Sequence, residues 1–172
     1  AYLREIKQVE KLLIVGPLSA FGPWKNEYYE CFKEEPNIFD LSSINKEEKV
    51  RYLTNHPTLT SEISYINYEG FSSIVGDMEK FITSSKVMVI LDEAHKIKNP
   101  NSLRAKGVLA FSKEASSKVI LTGTPIPNGY KDLYNLFEFI WPEKNIIGLS
   151  ADRLGKIHKM RNSGYLVKKL MD

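Results

Sequence analysis

Two adjacent carboxylates follow an apolar run in the middle of the chain, which reads VMVILDEAH over residues 87–95. If the run is a buried strand, the acids lie at its carboxyl end, where open α/β sheets bind their ligands. Asp92 there could hold Mg²⁺ through its water shell, and Glu93 could orient or deprotonate a water that attacks a phosphate. The alternative is that both acids only cap the next helix, and this segment alone leaves both interpretations open.

A polar turn follows a second apolar run, Val119 to Leu121. It consists of Thr122, Gly123 and Thr124. A glycine flanked by two hydroxyls predicts a tight turn with short hydrogen-bonding side chains near the acids. Taken alone, the turn favours an ordinary connection from a strand to a helix.

A further turn, residues 16–25, follows the first apolar run of the chain. Its exposed backbone N–H groups, the Ser19 hydroxyl and a helix amino terminus suit a phosphate, and Lys25 adds positive charge. Such contacts hold the backbone of a nucleic acid without reading its bases. Trp24 is expected to pack in the core rather than to stack on a base.

The apolar runs at 12–15, 87–91 and 119–121 are continuous rather than alternating, which is typical of strands covered on both faces of a parallel sheet. Weaker strand candidates occupy 37–41 and 62–66. Segments with helical spacing lie between the runs. This alternation predicts a three-layer α/β domain with right-handed crossovers.

Cap and spacing signals predict the helices. The first two predicted after the first apolar run are a helix with Pro23 at its first position that runs to Phe32 and a helix capped by Asn45 that runs to Thr54. Two more are a helix over 70–84 and a helix capped by Asn101 or Ser102. The last two are a helix capped by Asn128, which presents Leu133, Leu136, Phe137 and Ile140 on one face, and a helix over residues 1–8.

Composition restricts the class of protein. With 172 residues, 42% of them hydrophobic and 26% charged, the chain is not a disordered or collagen-like polymer. The single cysteine, Cys31, allows no internal disulfide and is expected to be buried. No apolar run approaches the ~20 residues of a membrane-spanning helix, and we expect an intracellular protein without a membrane partner.

The net charge of +3 is unevenly distributed. Residues 151–172 carry six basic and two acidic side chains, whereas residues 1–150 carry a net charge of −1. A basic end of this size favours a solvated helix face over a nucleic-acid site on charge alone.

Residues 1–142 resemble the first motor lobe of the Swi/Snf-type DNA translocases of helicase superfamily two. The segments that carry the resemblance are LIVGPLS at 13–19 with Trp24, DEAHKIKN at 92–99 and LTGTP at 121–125. Asp-Glu-Ala-His alone occurs in many helicases, but its combination with the later segment is specific. The resemblance implies a RecA-like domain with a mainly parallel sheet, ATP and Mg²⁺ as cofactors, and double-stranded DNA bound by its backbone without sequence specificity.

The same resemblance assigns roles to individual residues. Asp92 is the acid that organises magnesium through water, and Glu93 is the catalytic base. His95 links the nucleotide site to the 122–124 turn, which senses the γ-phosphate and couples it to the DNA groove. The remaining assignments are nucleotide contacts by Gly123 and Thr124, and a first DNA-contact motif made of Pro17, Leu18, Ser19 and Lys25.

The phosphate-gripping loop of such motors, Gly-x-x-x-x-Gly-Lys-Ser/Thr, does not occur in the sequence. The one Gly-Lys pair, Gly155-Lys156, is followed by isoleucine. We therefore expect the chain to begin just after that loop, without the amino-terminal strand and the second motor lobe of its parent. By itself it should hydrolyse ATP very poorly, because positioning and charge stabilisation dominate phosphoryl transfer. Residues 143–172 depart from the family pattern and are predicted to form a basic helical extension.

Two other functions stay open. One is a helicase-like subunit of a restriction or defence system, and sequence beyond residue 172 would separate it from a translocase. The other is a non-catalytic, motor-like module that scaffolds DNA or protein. A phosphate-binding loop encoded directly upstream of Ala1 would exclude that second function.

Overall fold

In the described residues, five strands form one sheet in which each neighbouring pair is parallel. The computed structural model describes residues 8–55, 61–125, 128–144, 146–159 and 164. The strand order is β2-β3-β1-β4-β5. The strands are β1 (Lys11–Gly16), β2 (Ile38–Asp40), β3 (Ile63–Asn67), β4 (Val87–Leu91) and β5 (Ser117–Ile120). All five lie where apolar sequence predicted them.

β1 is the central strand, and its side chains alternate between two cores. Leu13 and Val15 are fully buried on one face of the sheet, whereas Ile14 is buried on the other. Because both faces are covered, each successive position of the strand must be apolar. This explains the continuous run in the sequence.

Helices cover both faces of the sheet. One face carries the larger core, to which α2 to α6 contribute, and the other is covered by α1 through Phe21, Trp24 and Tyr28. The predicted three-layer α/β architecture is confirmed. The helices are α1 (Phe21–Phe32), α2 (Lys46–Thr54), α3 (Tyr68–Ser72), α4 (Val75–Ser84), α5 (Leu103–Ala110), α6 (Leu133–Ile140) and α7 (Ala151–Lys159). Short 3₁₀ turns occupy Leu18–Ala20, Leu41–Ser43, Ala94–Ile97 and Tyr130–Asp132.

Side-chain caps start two of the helices as predicted. The Asn45 side chain accepts a hydrogen bond from the Glu48 N–H, and the Glu48 carboxylate accepts one from the Asn45 N–H. This reciprocal capping box satisfies donors that the first turn of α2 leaves free. At α5 the cap is Ser102, whose hydroxyl accepts a hydrogen bond from the Ala105 N–H.

The single helix predicted over 70–84 is wrong, because the chain breaks between α3 and α4. Ile74 leaves the helical conformation, with φ −135° and ψ 32°, and its side chain is 2% exposed. The Ser73 hydroxyl donates a hydrogen bond to the Gly70 carbonyl at 2.7 Å. A hydroxyl that bonds the neighbouring backbone in this way competes with helix continuation.

Two other predicted helix starts are also wrong. α1 begins at Phe21, two residues before Pro23. Asn128 does not cap α6, because the 3₁₀ turn Tyr130–Asp132 lies between Asn128 and the first residue of that helix. The helix predicted at 1–8 lies outside the described residues, apart from Gln8.

The segment 146–159 packs against α6 and the 3₁₀ turn that precedes it. Ile147, Leu149 and Leu154 form a small buried cluster against Tyr130 and neighbouring apolar side chains of α6. Within the ranges described above, no helix is long and apolar enough to cross a bilayer.

β5 lies at one edge of the sheet, and in the described part of the chain it pairs with β4 alone. Lys118 lies on this strand, and its ammonium group donates a hydrogen bond to the Ser112 carbonyl at 2.7 Å. Burial, followed by the charge of Lys144, lowers the pKa of Lys118 below its ordinary value.

Candidate active site

The acid pair lies at the carboxyl edge of the sheet, directly after β4. The Asp92 N–H donates a hydrogen bond to the Val15 carbonyl at 2.8 Å, which places the acid beside the end of β1. Gly16 ends β1 at this point. A Cβ added to Gly16 would lie 2.9 Å from the Tyr65 hydroxyl and 3.1 Å from Cβ of Asp92. A glycine therefore allows the two strand ends to approach this closely.

The carboxylate of Asp92 is held by two donors from different elements. The indole Nε1–H of Trp24, on α1, donates to Oδ2 at 2.9 Å. The backbone N–H of Glu93 donates to Oδ1 at 2.8 Å. Because an ionised carboxylate has about four acceptor positions, two remain available to other groups.

Two buried tyrosines fix the backbone just after β4 and just after β1. The Tyr68 hydroxyl donates to the Asp92 carbonyl at 2.8 Å, and the Tyr65 hydroxyl donates to the Pro17 carbonyl. Burial raises the pKa of both phenols above its ordinary value, and the nearby charge of Asp92 raises it further. Both hydroxyls therefore remain protonated donors at neutral pH.

Glu93 has a left-handed backbone, with φ 52° and ψ 49°. This conformation costs a residue with a side chain about 1–2 kcal/mol. The following residues hold it in place, because Ala94 is buried and its N–H donates to the Leu121 carbonyl at 2.9 Å. The Glu93 carboxylate lies 3.0 Å from Nδ1 of His95, and its side chain is 44% exposed. The imidazole therefore restricts this carboxylate, which is still accessible to water.

The 122–124 turn lies against the same imidazole. Oγ1 of Thr122 is 3.5 Å from Nδ1 of His95, and it accepts a hydrogen bond from the Thr124 N–H at 3.2 Å. Gly123 and Thr124 are exposed. A Cβ added to Gly123 would meet no atom within 4 Å, so the described structure gives no packing reason for glycine there. The structure thus brings Glu93, His95 and Thr122 together in one chain of contacts.

Of the residues assigned to DNA contact, Pro17, Leu18 and Ser19 lie in the turn between β1 and α1, and Lys25 lies on α1. Leu18 is 63% exposed, Ser19 and Lys25 are exposed, and Pro17 is half-buried. The Lys25 ammonium lies 5.6 Å from the ring centroid of Phe21. The turn uses part of its own backbone, because the N–H groups of Ala20 and Phe21 donate to carbonyls within it. The predicted cradle therefore has fewer free N–H groups than the sequence suggested.

Asn135 is a structural contributor that the sequence analysis missed. It lies on the apolar helix α6, is 2% exposed, and its Nδ2 donates to the Ile97 carbonyl at 2.6 Å. This bond fixes the end of the 3₁₀ turn that carries His95. A lone amide within an apolar stripe was the available signal.

The single fixed carboxylate of Asp92 is chemically compatible with magnesium. In the described residues, no three His, Cys, Asp or Glu side chains form a metal-holding group. Mg²⁺ does not require one, because it keeps several waters and usually takes one or two carboxylates together with phosphate oxygens. Asp92 supplies a fixed carboxylate with free acceptor positions.

A separate cavity of about 460 Å³ lies away from the acid pair, beside the amino end of α7. Lys98, Asp132 and Asp152 are among its lining residues. Neither Asp92 nor Glu93 lines this cavity, and its lining side chains carry both signs of charge.

Comparison with known proteins identifies the family. The model of the SNF2-related domain matches residues 1–146. This chain belongs to the SNF2-related domain family. Human chromodomain-helicase-DNA-binding protein 1 is 31% identical over 136 residues, which is 77% of this chain and 8% of that protein. The DNA repair and recombination protein RAD54-like of Drosophila persimilis is 29% identical over 149 residues, or 84% of this chain and 18% of that protein.

A solved structure supports the same fold for this SNF2-family chain. The Sulfolobus solfataricus SWI2/SNF2 ATPase core in complex with dsDNA matches with a TM-score of 0.61 at 19% sequence identity. The match covers 90% of this chain and 29% of that one. The chain therefore spans only a small part of the relatives that it matches.

Proposed function

We propose that this chain is part of the first motor lobe of an ATP-driven translocase on double-stranded DNA. The observation that carries the proposal is the contact chain from Glu93 through His95 to Thr122 at the carboxyl edge of the sheet. These contacts join the water-accessible carboxylate of Glu93 to the 122–124 turn, which follows β5. The proposal concerns a longer polypeptide, because the chain spans 8% and 18% of the two curated relatives described above.

Asp92 is proposed to hold the magnesium ion that accompanies the triphosphate. Two donors fix its carboxylate, which leaves acceptor positions for metal-bound waters. Bound together with the phosphates, Mg²⁺ would neutralise the charge that develops during phosphoryl transfer. The protein's own contribution is to hold this carboxylate in one orientation through these two hydrogen bonds.

Glu93 is proposed as the catalytic base. Its carboxylate lies 3.0 Å from Nδ1 of His95, a contact that orients it without covering it. It can then orient the water that attacks the γ-phosphate and accept its proton. His95, Gly123 and Thr124 complete the nucleotide-facing set, and Thr122, Gly123 and Thr124 form the coupling turn.

Double-stranded DNA is the proposed partner, contacted through its phosphates by Pro17, Leu18, Ser19 and Lys25. Exposure of the last three side chains supports this assignment. One of the two relatives is named for DNA binding and the other for DNA repair. DNA is what these names share, so the proposal stops at DNA and includes no nucleosome.

The proposal also covers the division of the chain, the missing pieces of the ATP site and the cellular location. Residues 1–142 form the partial lobe, and 143–172 a basic helical extension. An upstream phosphate-binding loop and a second motor lobe of the same parent supply the rest of the ATP site. A motor of this kind works where DNA is, in the cytoplasm or nucleoid or in the nucleus.

The test is DNA-stimulated ATP hydrolysis by the longer protein and its Glu93→Gln variant. We expect the variant to bind ATP as the parent does but to turn over about 10²–10⁴-fold more slowly, the usual contribution of a general base. Glu79→Gln, at an exposed position of α4, is the matched control and should leave the rate unchanged.

Displacement of a DNA-bound triplex strand, measured in the same samples, tests translocation. An unchanged rate of ATP hydrolysis in Glu93→Gln would show that Glu93 is not the catalytic base. DNA binding without any ATP hydrolysis by the parent would instead support the non-catalytic module.

A further inference from the structure

The indole of Trp24 joins two sites that lie far apart in sequence. Trp24 is on the first turns of α1, directly after the exposed turn at 17–20, and its Nε1–H donates to Oδ2 of Asp92 at 2.9 Å. We propose that Trp24 is a positioning residue that orients the Asp92 carboxylate and couples the state of the 17–20 turn to it. This inference rests on the proposed function, because that function assigns Asp92 to the magnesium ion.

An indole is well suited to this role. It is a donor only, so it can bond the carboxylate only while Oδ2 acts as an acceptor. The Glu93 N–H imposes the same condition on Oδ1. With one oxygen held from α1 and the other from the backbone after β4, rotation of the carboxylate is restricted from both sides.

The ring cannot move independently of α1. Trp24 is half-buried and packs against the core that contains Ile14 and Tyr65. Phe21, one turn earlier, meets the Tyr65 ring edge-on with centroids 5.0 Å apart. The Tyr65 hydroxyl in turn donates to the Pro17 carbonyl. A ligand that shifts the 17–20 turn must therefore shift α1, and with it the donor on Asp92.

The competing explanation is that Trp24 only fills the core. Trp24→Phe separates the two, because phenylalanine keeps an aromatic ring in the core but has no N–H. Trp141 is the natural internal control, since the chain contains two tryptophans and Trp141 packs elsewhere, against Phe137.

The first experiment is NMR of the indole N–H groups in the full 172-residue chain labelled with ¹⁵N. Replacing the acceptor with Asp92→Ala should move the Trp24 indole resonance upfield. Its exchange with solvent should become about tenfold faster, as loss of a bond to a charged acceptor predicts. The Trp141 resonance should not change. Asp92→Leu, which has a branched side chain of similar size but no acceptor, is the second variant should Asp92→Ala fail to fold. An unmoved Trp24 resonance in a folded variant would overturn the inference.

The second experiment uses the longer protein. Trp24→Phe should raise the Mg²⁺ concentration for half-maximal ATP hydrolysis and reduce DNA stimulation about tenfold, with DNA affinity unchanged. Trp141→Phe should change neither quantity. Normal hydrolysis with unchanged Mg²⁺ dependence in Trp24→Phe would overturn the inference and leave the proposed function intact. Absence of hydrolysis in the parent would remove the proposed function and the coupling role with it, even if the NMR arm shows the hydrogen bond.

Discussion

Nδ1 of His95 lies 3.0 Å from Oε2 of Glu93, although a single residue separates the two in sequence. Glu93 makes this contact from a left-handed backbone, a conformation that costs a residue with a side chain about 1–2 kcal/mol. Strain at a functional position persists only where the surroundings enforce it. Here the buried Ala94 and its hydrogen bond to the Leu121 carbonyl enforce it.

Glu93→Gly should relieve this strain. Because glycine adopts positive φ without steric cost but loses more chain entropy on folding, we expect it to be about 0.5–1 kcal/mol more stable than Glu93→Gln. Both variants lack the carboxylate, so the comparison isolates the backbone. Urea unfolding of the two proteins measures the difference. A glycine variant that is the less stable of the two would show that the left-handed conformation is not strained.

Thr122→Val removes the hydroxyl that lies 3.5 Å from His95 and accepts the Thr124 N–H. In the longer protein we expect the ratio of DNA-stimulated to basal ATP hydrolysis to fall about tenfold, the size of a typical coupling free energy. Thr122→Ser keeps the hydroxyl and should retain most of the ratio. Equal ratios in the valine and serine variants would remove the hydroxyl from the coupling path.

Tyr68→Phe tests the clamp on the Asp92 carbonyl. Loss of this hydrogen bond should lower the free energy of unfolding at pH 8 by about 1 kcal/mol. The pKa of Tyr68 is raised in the folded state, so its contribution is complete below the unfolded value of about 10 and is lost as pH rises above it.

The Tyr68→Phe variant should therefore lose less stability than the parent between pH 9 and 11.5. Thermal unfolding across this range provides the measurement. Tyr29→Phe, on the exposed side of α1, is the control and should follow the parent. If the parent and Tyr68→Phe decline equally above pH 10, the buried phenol makes no contribution.

Asn135→Leu keeps the size of the side chain but leaves the Ile97 carbonyl without its partner. An unsatisfied buried acceptor costs about 1–3 kcal/mol, and we expect a loss of that order in urea unfolding. Asn101→Leu, at an exposed position before α5, should change stability by less than about 0.5 kcal/mol. A stable Asn135→Leu protein would mean that water replaces the amide.

The sheet could be predicted because burial on both faces leaves a direct record in the chain. Leu13, Ile14 and Val15 had to be apolar together because their side chains enter both cores. The position of the acids at the edge of the sheet could be predicted because they directly follow the apolar run of β4. The Asn45 cap could also be predicted, because its partner Glu48 is only three residues away in sequence.

Features that depend on strand order could not be predicted. Tyr68 and Trp24 reach Asp92 across 24 and 68 residues, and no local pattern encodes such partners. Asn128 does not act as the cap because the 3₁₀ turn Tyr130–Asp132 separates it from α6. Cys31 was expected to be buried but is exposed, since α1 packs on the sheet through Phe21, Trp24 and Tyr28 instead.

The position of β5 has a practical consequence for handling the protein. In the described ranges its outer side pairs with no strand, and its backbone groups there can template pairing with another copy. Lys118 offers limited protection against self-association, because its ammonium group is already bonded to the Ser112 carbonyl. Preparations of the 172-residue chain should therefore show concentration-dependent dimers or aggregates by light scattering.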